Sequence, residues 1–179
     1  MRNTIKRILR EQWFEELGKK AAKGAVSRAP IKSIKTKPSY IKGVDDNEII
    51  AATIIGEAGG EGNDGMIAIK NVLDNRAKKK GTTAAGEALR PKQFSMWNKA
   101  TSGVSTKDDF DSEKIQSVID QYKGHSKWGM ALRIARGNYD DLTKGANMYY
   151  AHKKIKPPYW TKDWEQTAVI GNHTFGKSG

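Results

Sequence analysis

An acidic side chain next to a run of glycines is the feature of this sequence best suited to chemistry. Glu57 follows the apolar residues 49–55 and precedes a glycine-rich turn at residues 59–62. Glycines leave room for a ligand and let the backbone approach it. A partly desolvated carboxyl group has a raised pKa and can stay protonated near neutral pH, as a general acid requires. The pattern predicts acid catalysis by Glu57; the plainer alternative is that Glu57 and Glu61 are solvated and the glycines merely end a helix.

Aromatic and polar residues further along the chain could bind a sugar polymer. Sugar rings present flat apolar faces rimmed by hydroxyl groups, which aromatic rings stack on and which side-chain amides and hydroxyls bind. The sequence offers polar side chains at Gln93, Ser95 and Asn98, and aromatic rings at Trp97, Tyr149, Tyr150, Tyr159 and Trp160. The alternative is that these rings belong to the core, because large aromatic side chains are usually well buried.

Other catalytic classes lack their motifs. The three histidines are widely spaced, without the His-Glu-x-x-His pair of a zinc peptidase. The sequence contains no cysteine, no Gly-x-Ser-x-Gly elbow and no phosphate-binding loop. We therefore expect neither a metal nor a cofactor.

Two helices are predicted to position Glu57. Asp46 and Asn47 are N-cap types, and Ile49, Thr53 and Glu57 recur at helical spacing, which puts the glutamate at the end of the first helix. A second helix is predicted after residues 63–64 and extends to about Arg76.

The rest of the chain is predicted to be mainly helical with a small hairpin at its end. Thr82 or Thr83 could cap a short helix over residues 84–89, and helices are predicted from Ser112 to Gly124 and over residues 126–136. Gly171-Asn172 is a two-residue hairpin signal between residues 166–170 and 173–175. The fold class is therefore α+β and mainly helical, not a parallel α/β fold.

The charge is concentrated at the N-terminus. The net charge is +12, of which residues 1–42 contribute +9. We predict a basic amphipathic helix at residues 1–23, a solvated linker at 24–44 and a catalytic domain at 45–179. No apolar run approaches the length of a membrane span, and charged residues, both Arg and Glu, interrupt any apolar region at the N-terminus, so no cleavable signal peptide is predicted.

Five blocks in order resemble the SleB-type cell-wall hydrolases, the spore-cortex-lytic family. The first is Ile-Ile-Gly-Glu-Ala-Gly-Gly-Glu-Gly at residues 54–62, followed by an apolar helix that ends Leu-Asp-Asn-Arg. Residues 93–95 are similar to the family's Gln-Phe-Ser loop, and residues 145–149 are similar to its Gly-Ala-Thr-His-Tyr block. Residues 158–160 are similar to its Pro-Pro-Trp-like segment, and residues 170–175 are similar to its Ile-Gly-Asn-His-x-Phe ending.

The resemblance implies a lysozyme-like, lytic-transglycosylase-related domain that cleaves the MurNAc–GlcNAc β-1,4 bonds of peptidoglycan. It implies one essential glutamate, which corresponds to Glu57. We expect these residues to contact the substrate: Glu61, Gln93, Ser95, Trp97, Tyr149, Tyr150 and His173.

The expected partner is peptidoglycan, with no specific nucleic acid, and we expect a monomer. A phage-type lysin is predicted, which would pass from the host cytoplasm to the periplasm and wall, or be carried in the virion. Residues 1–42 could contact an anionic membrane or envelope polymer. The competing hypothesis is a non-enzymatic basic virion or nucleic-acid-binding protein that keeps the hydrolase fold.

Overall fold

The computed structural model describes residues 38–178. In this part of the chain the helices are α1 Asp46–Ala58, α2 Gly62–Lys80, α3 Ala84–Ala88, α4 Ser112–Lys123 and α5 Trp128–Arg136. The strands are β1 Met148–Tyr150, β2 Glu165–Ile170 and β3 His173–Lys177. Short 3-10 turns span Ser95–Trp97, Lys107–Asp109 and Tyr159–Thr161. None of the described helices combines the length and the apolar character that crossing a membrane requires.

Helix α1 is the central element of the fold. Its N-cap is Asp45, whose carboxylate accepts a hydrogen bond from the backbone N–H of Asn47. Residues 49–55 are buried without interruption, so every face of the helix is covered over that length. A helix that is apolar all round is stable only when neighbouring elements surround it, and α2, α3, α4 and α5 all pack against α1.

The remaining helices are amphipathic or short and have side-chain or glycine caps. The Thr83 side chain accepts from Gly86 at the start of α3, and Asp111 accepts from two backbone N–H groups at the start of α4. Gly81 ends α2 in the left-handed conformation, with φ of 66°, which glycine adopts without the steric penalty of a Cβ atom.

The strands form one antiparallel sheet in the order β1-β3-β2. Ile170 pairs with His173 across the two-residue turn at Gly171-Asn172, and Tyr149 pairs with Phe175. Phe175 is fully buried, and Tyr149, Ala168 and Ile170 pack against the core. One face of the sheet therefore packs against the helices.

The predicted fold class is confirmed. Residues 146–152 could be a short strand or a pocket-lining loop by their sequence, and the structure has a strand there, β1, which pairs with the predicted hairpin. The compact unit also begins earlier than the predicted domain boundary at residue 45. Ile41 and Val44 are 5% and 3% exposed and join the core, so residues 38–44 are not a solvated linker. The predicted helix at residues 1–23 lies outside the described residues.

Candidate active site

Glu57 lies one residue before the end of α1 and is partly exposed. Its Oε2 atom accepts a hydrogen bond of 2.8 Å from the hydroxyl group of Tyr149. Within residues 38–178 its carboxylate forms no ion pair. The glutamate is therefore held by one neutral donor and is not neutralised by a structural arginine, as a proton-transfer group requires.

Tyr149 reaches Glu57 from the sheet. It is the middle residue of β1, and its ring packs edge-on against His173 and at a tilt against Phe175, with centroid separations of 5.1 and 5.7 Å. Burial raises the pKa of the Tyr149 hydroxyl well above 10.0, and the neighbouring Glu57 carboxylate raises it further. The hydroxyl thus stays protonated and remains a donor to the glutamate near neutral pH.

Arg76 lies close to this pair and was not among the predicted site residues. Its Nε donates a hydrogen bond of 2.6 Å to the carbonyl of Asn147, two residues before Tyr149. Its guanidinium carbon lies 5.6 Å from the centroid of the Phe94 ring, and its buried Nη1 atom has no hydrogen-bond partner among the described residues. Burial lowers the pKa of Arg76, while the negative charges of Glu87 and Glu57 oppose that shift.

Arg76 therefore fixes the backbone that leads into β1 and adds positive charge near the glutamate. The sequence did contain a signal for it, because Arg76 ends the Leu-Asp-Asn-Arg block that follows the glycine-rich turn.

Glu61 and His173 are buried against each other and do not line an open site, which corrects their predicted role in substrate binding. Their side chains are 8% and 6% exposed. Oε2 of Glu61 accepts a hydrogen bond of 2.9 Å from the backbone N–H of Asn172. Oε1 lies 3.2 Å from Nδ1 of His173, without the angle of a hydrogen bond. Glu61 thus fastens the β2–β3 turn to the start of α2.

Trp97 is enclosed in the core and presents no surface to a ligand, which corrects its predicted role in sugar binding. The residue is fully buried, and its indole N–H donates a hydrogen bond of 2.9 Å to the Thr53 hydroxyl. Thr53 in turn donates to the carbonyl of Ile49 within α1. The indole is a core side chain whose polar atom is satisfied by the central helix.

Gln93 and Ser95 are exposed on a segment that approaches Glu57. The turn Ser95–Trp97 places the sulfur of Met96 against α1, 2.5 Å from where a Cβ atom on Gly56 would lie. A side chain at residue 56 would displace Met96, so the glycine allows the turn to pack next to the glutamate. This arrangement keeps Gln93 and Ser95 as candidates for contact with a ligand.

Tyr150 faces away from Glu57. Successive residues of a strand point to opposite faces, and the Tyr150 ring packs against Trp160 and Trp164 at 6.4 and 5.8 Å. Tyr150 therefore does not join Tyr149 beside Glu57, and its role in substrate binding stays a prediction.

The family model described as Cell Wall Hydrolase matches residues 60–176. The chain is similar to the catalytic domain of the germination-specific lytic transglycosylase SleB from Bacillus anthracis, with 22% identity and a TM-score of 0.48, covering 75% of this chain and 98% of that one.

It is also similar to the catalytic domain of the Bacillus cereus SleB protein, with 20% identity and a TM-score of 0.48, covering 79% of this chain and 99% of that one. The search of curated proteins found no match. Because the family model matches residues 60–176, more than half of the chain, this protein belongs to the cell wall hydrolase family.

Proposed function

We propose that this enzyme cleaves the MurNAc–GlcNAc β-1,4 bonds of peptidoglycan and that Glu57 is its single acid and base. The observation that carries the proposal is the hydrogen bond from the protonated Tyr149 hydroxyl to Oε2 of Glu57. This bond occupies one carboxyl oxygen and leaves Oε1 for the proton that is exchanged with the substrate. Tyr149 then acts as a positioning residue that fixes the orientation of the carboxyl group.

The first step is protonation of the leaving oxygen. Neutral Glu57 gives its proton to the glycosidic oxygen, the bond between C1 of MurNAc and that oxygen breaks, and the GlcNAc strand leaves with a free O4 hydroxyl group. Positive charge develops at C1 in an oxocarbenium-like state. The carboxylate that remains on Glu57 is the base for the second step.

The second step has two chemical outcomes. If the C6 hydroxyl of MurNAc gives its proton to Glu57, O6 bonds to C1 and a 1,6-anhydro sugar forms. If water gives the proton instead, its oxygen bonds to C1 and a reducing end forms. Either route returns Glu57 to its neutral form.

The burial of Glu61 and its contacts with other residues favour formation of the 1,6-anhydro product. Hydrolysis by paired carboxylates requires a second acidic side chain that is free to activate water or to attack C1. Glu61, the acidic residue closest to Glu57 in sequence, is only 8% exposed, and its oxygens lie against Asn172 and His173. An internal O6 nucleophile needs no second carboxylate, so we propose a lytic transglycosylase, with N-acetylmuramidase activity as the alternative.

Mass spectrometry of digested peptidoglycan tests the reaction. We expect 1,6-anhydro-MurNAc ends; reducing MurNAc ends would identify a muramidase, and cut peptides would overturn the proposal. The variant Glu57→Gln should lose at least about 100-fold of its lytic rate, the range for removal of a general acid. Glu113→Gln, at an exposed position of α4, is the matched control. Retained lysis in Glu57→Gln would rule out the assignment of Glu57.

We also propose that the enzyme works as a phage-type lysin or a virion-carried lysin. The support is the +9 charge of residues 1–42, because a basic segment is attracted to anionic envelope polymers and membranes. A deletion that tests this idea should stop at residue 37, since Ile41 and Val44 belong to the core. Unchanged wall binding and unchanged lysis from outside would contradict the targeting role.

A further inference from the structure

The sheet carries aromatic residues on the face opposite the candidate active site. Tyr149 points to the inner face with Phe175, whereas Tyr150 points outward and pairs with Thr174 of β3. On the outer face Tyr150 contacts both Trp160 and Trp164, and the two indoles meet edge to face at 5.5 Å.

This aromatic group is tightly packed against the strand beneath it. A Cβ atom on Gly176 would lie 2.5 Å from the indole of Trp164, so the absence of a side chain there lets the ring lie directly on β3. Thr174 on the same face is 4% exposed, and its hydroxyl lies 3.1 Å from Nδ1 of His152. The cluster is therefore a fixed surface and not a set of mobile rings.

One ring next to the cluster is almost entirely free. Tyr159 is 84% exposed, although it stands beside Trp160 in the turn Tyr159–Thr161. The Thr161 hydroxyl and backbone N–H both bond to the carbonyl of Pro158, at 2.7 and 3.0 Å, which fixes the turn. An exposed aromatic ring on a fixed backbone turn adds nothing to the core, but it presents a flat apolar face on which a ligand can stack.

The loop that carries Tyr159 is positively charged. Residues 151–164 contain four lysines and one acidic residue, Asp163. All four lysines are exposed, and among the described residues none of them forms an ion pair. They are Lys153, Lys154, Lys156 and Lys162. Unpaired lysines around an exposed ring complement a ligand that has both sugar faces and negative charges.

We propose that this outer aromatic face, formed by Tyr150, Tyr159, Trp160, Trp164 and these lysines, binds a second stretch of carboxylate-bearing aminosugar strand, apart from the site at Glu57. The ligand identity rests on the proposed function, because peptidoglycan presents stacked sugar faces and free peptide carboxylates together. The surface holds the enzyme on the wall while the glycan strand is cut on the other side of the sheet.

A glycan fits this surface better than a lipid bilayer does. The two indoles are half-buried and packed against each other and against β3, so they are not free to insert into a membrane. The ring that projects is a single tyrosine, whose flat face and hydroxyl match a sugar rimmed by hydroxyl groups.

Cosedimentation with purified sacculi tests the proposal in the full-length chain carrying Glu57→Gln, so that binding is measured without cleavage. We expect Tyr159→Ala to bind roughly fivefold more weakly, the value of one aromatic stacking contact. Tyr159→Phe keeps the ring and should bind like the parent. Tyr139 is a second exposed tyrosine, with 39% of its surface exposed, and is not part of the outer aromatic face. The control variant Tyr139→Ala should therefore also bind like the parent.

The charge requirement is tested with a matched pair of double variants. Lys153→Gln/Lys154→Gln should weaken binding, and the difference from the parent should shrink as salt is added. Lys78→Gln/Lys114→Gln removes the same charge from exposed positions on α2 and α4 and should have a smaller effect. In the active enzyme, Tyr159→Ala should raise the sacculus concentration that gives half-maximal lysis.

Two results would overturn this inference without touching the proposed function. One is equal binding of sacculi by the parent and by both the Tyr159→Ala and Lys153→Gln/Lys154→Gln variants. The other is that these variants lose affinity for phosphatidylglycerol vesicles or for single-stranded DNA but keep their affinity for sacculi. The proposed function fails on a different observation, namely lysis by Glu57→Gln.

Discussion

The hydroxyl group of Tyr149 donates a hydrogen bond of 2.8 Å to Oε2 of Glu57, although 92 positions separate the two residues in the chain. The contact joins the last turn of the central helix to the first strand of the sheet. Because the Tyr149 pKa is raised by burial and by the glutamate itself, the tyrosine remains a hydrogen-bond donor to Glu57 near neutral pH.

Removing this hydroxyl should impair catalysis while the fold is kept. Tyr149→Phe retains the ring contacts with His173 and Phe175 but leaves the carboxyl group free to rotate. A hydrogen bond to a charged group contributes about 1.5–3 kcal/mol, so we expect the lytic rate to fall roughly tenfold to a hundredfold. Turbidity loss of a sacculus suspension measures it, with circular dichroism to check folding. An unchanged rate would show that Tyr149 does not position Glu57.

The raised pKa of Tyr149 predicts a late step in an alkaline titration. Ultraviolet absorbance of tyrosinate should show one group that ionises well above pH 10.0, the ordinary value. Tyr149→Phe should lack that step, while the pKa of Tyr40, also raised by burial, should give the same signal in both proteins. A normal titration of all tyrosines in the folded wild-type enzyme would contradict the buried position of this hydroxyl.

The raised pKa of Tyr149 also predicts the direction in which the stability of the protein changes with pH. The folded state holds the Tyr149 proton more tightly than the unfolded state, so its contribution is fully present below about pH 10. It is lost as the pH rises through the higher pKa of the folded protein. The free energy of unfolding should therefore fall more steeply above pH 10 in the wild type than in Tyr149→Phe, provided that both are measured in the same denaturant series.

The contact between Glu61 and the β2–β3 turn predicts that Gly171 cannot carry a side chain. Its φ is +59°, and a Cβ atom there would collide with Oε2 of Glu61. We expect Gly171→Ala to lower the free energy of unfolding by about 1–3 kcal/mol. Gly129→Ala is the matched control: nothing lies within 4 Å of its Cβ position inside α5, so this change should stabilise the protein by about 0.5–1 kcal/mol. Equal stabilities for the two variants, measured by urea denaturation, would contradict the contact.

The burial of Trp97 predicts an effect on stability and not on substrate affinity. Trp97→Phe removes the hydrogen bond to Thr53 and leaves a gap beside α1, which should lower the free energy of unfolding by about 1–3 kcal/mol. The sacculus concentration for half-maximal lysis should not change. A variant with full stability and weakened substrate binding would restore the sugar-binding role that the sequence suggested.

Several properties of this protein could be read from the sequence alone, because they depend on local patterns. Apolar runs at helical spacing, the cap residue Thr83 and the Gly171-Asn172 turn indicated most of the elements. The N-caps of α1 and α4 are Asp45 and Asp111, which the sequence did not single out; Asp46 and Asn47 were predicted to cap α1. The order of the family's short blocks along the chain indicated the kind of enzyme. The placement of Glu57 at the end of a buried helix also followed from periodicity.

The partners of each side chain were decided only by the tertiary structure. Residue type made Trp97, Glu61 and His173 equally plausible as ligand contacts, yet the packing of the helices and the turn encloses all three. Tyr149 and Tyr150 are neighbours of the same type, and the strand pleat sends one to Glu57 and the other to the opposite face. The burial of Trp97, Glu61 and His173 and the pairing of β1 with β3 depend on contacts between residues far apart in the chain, which local residue patterns do not specify.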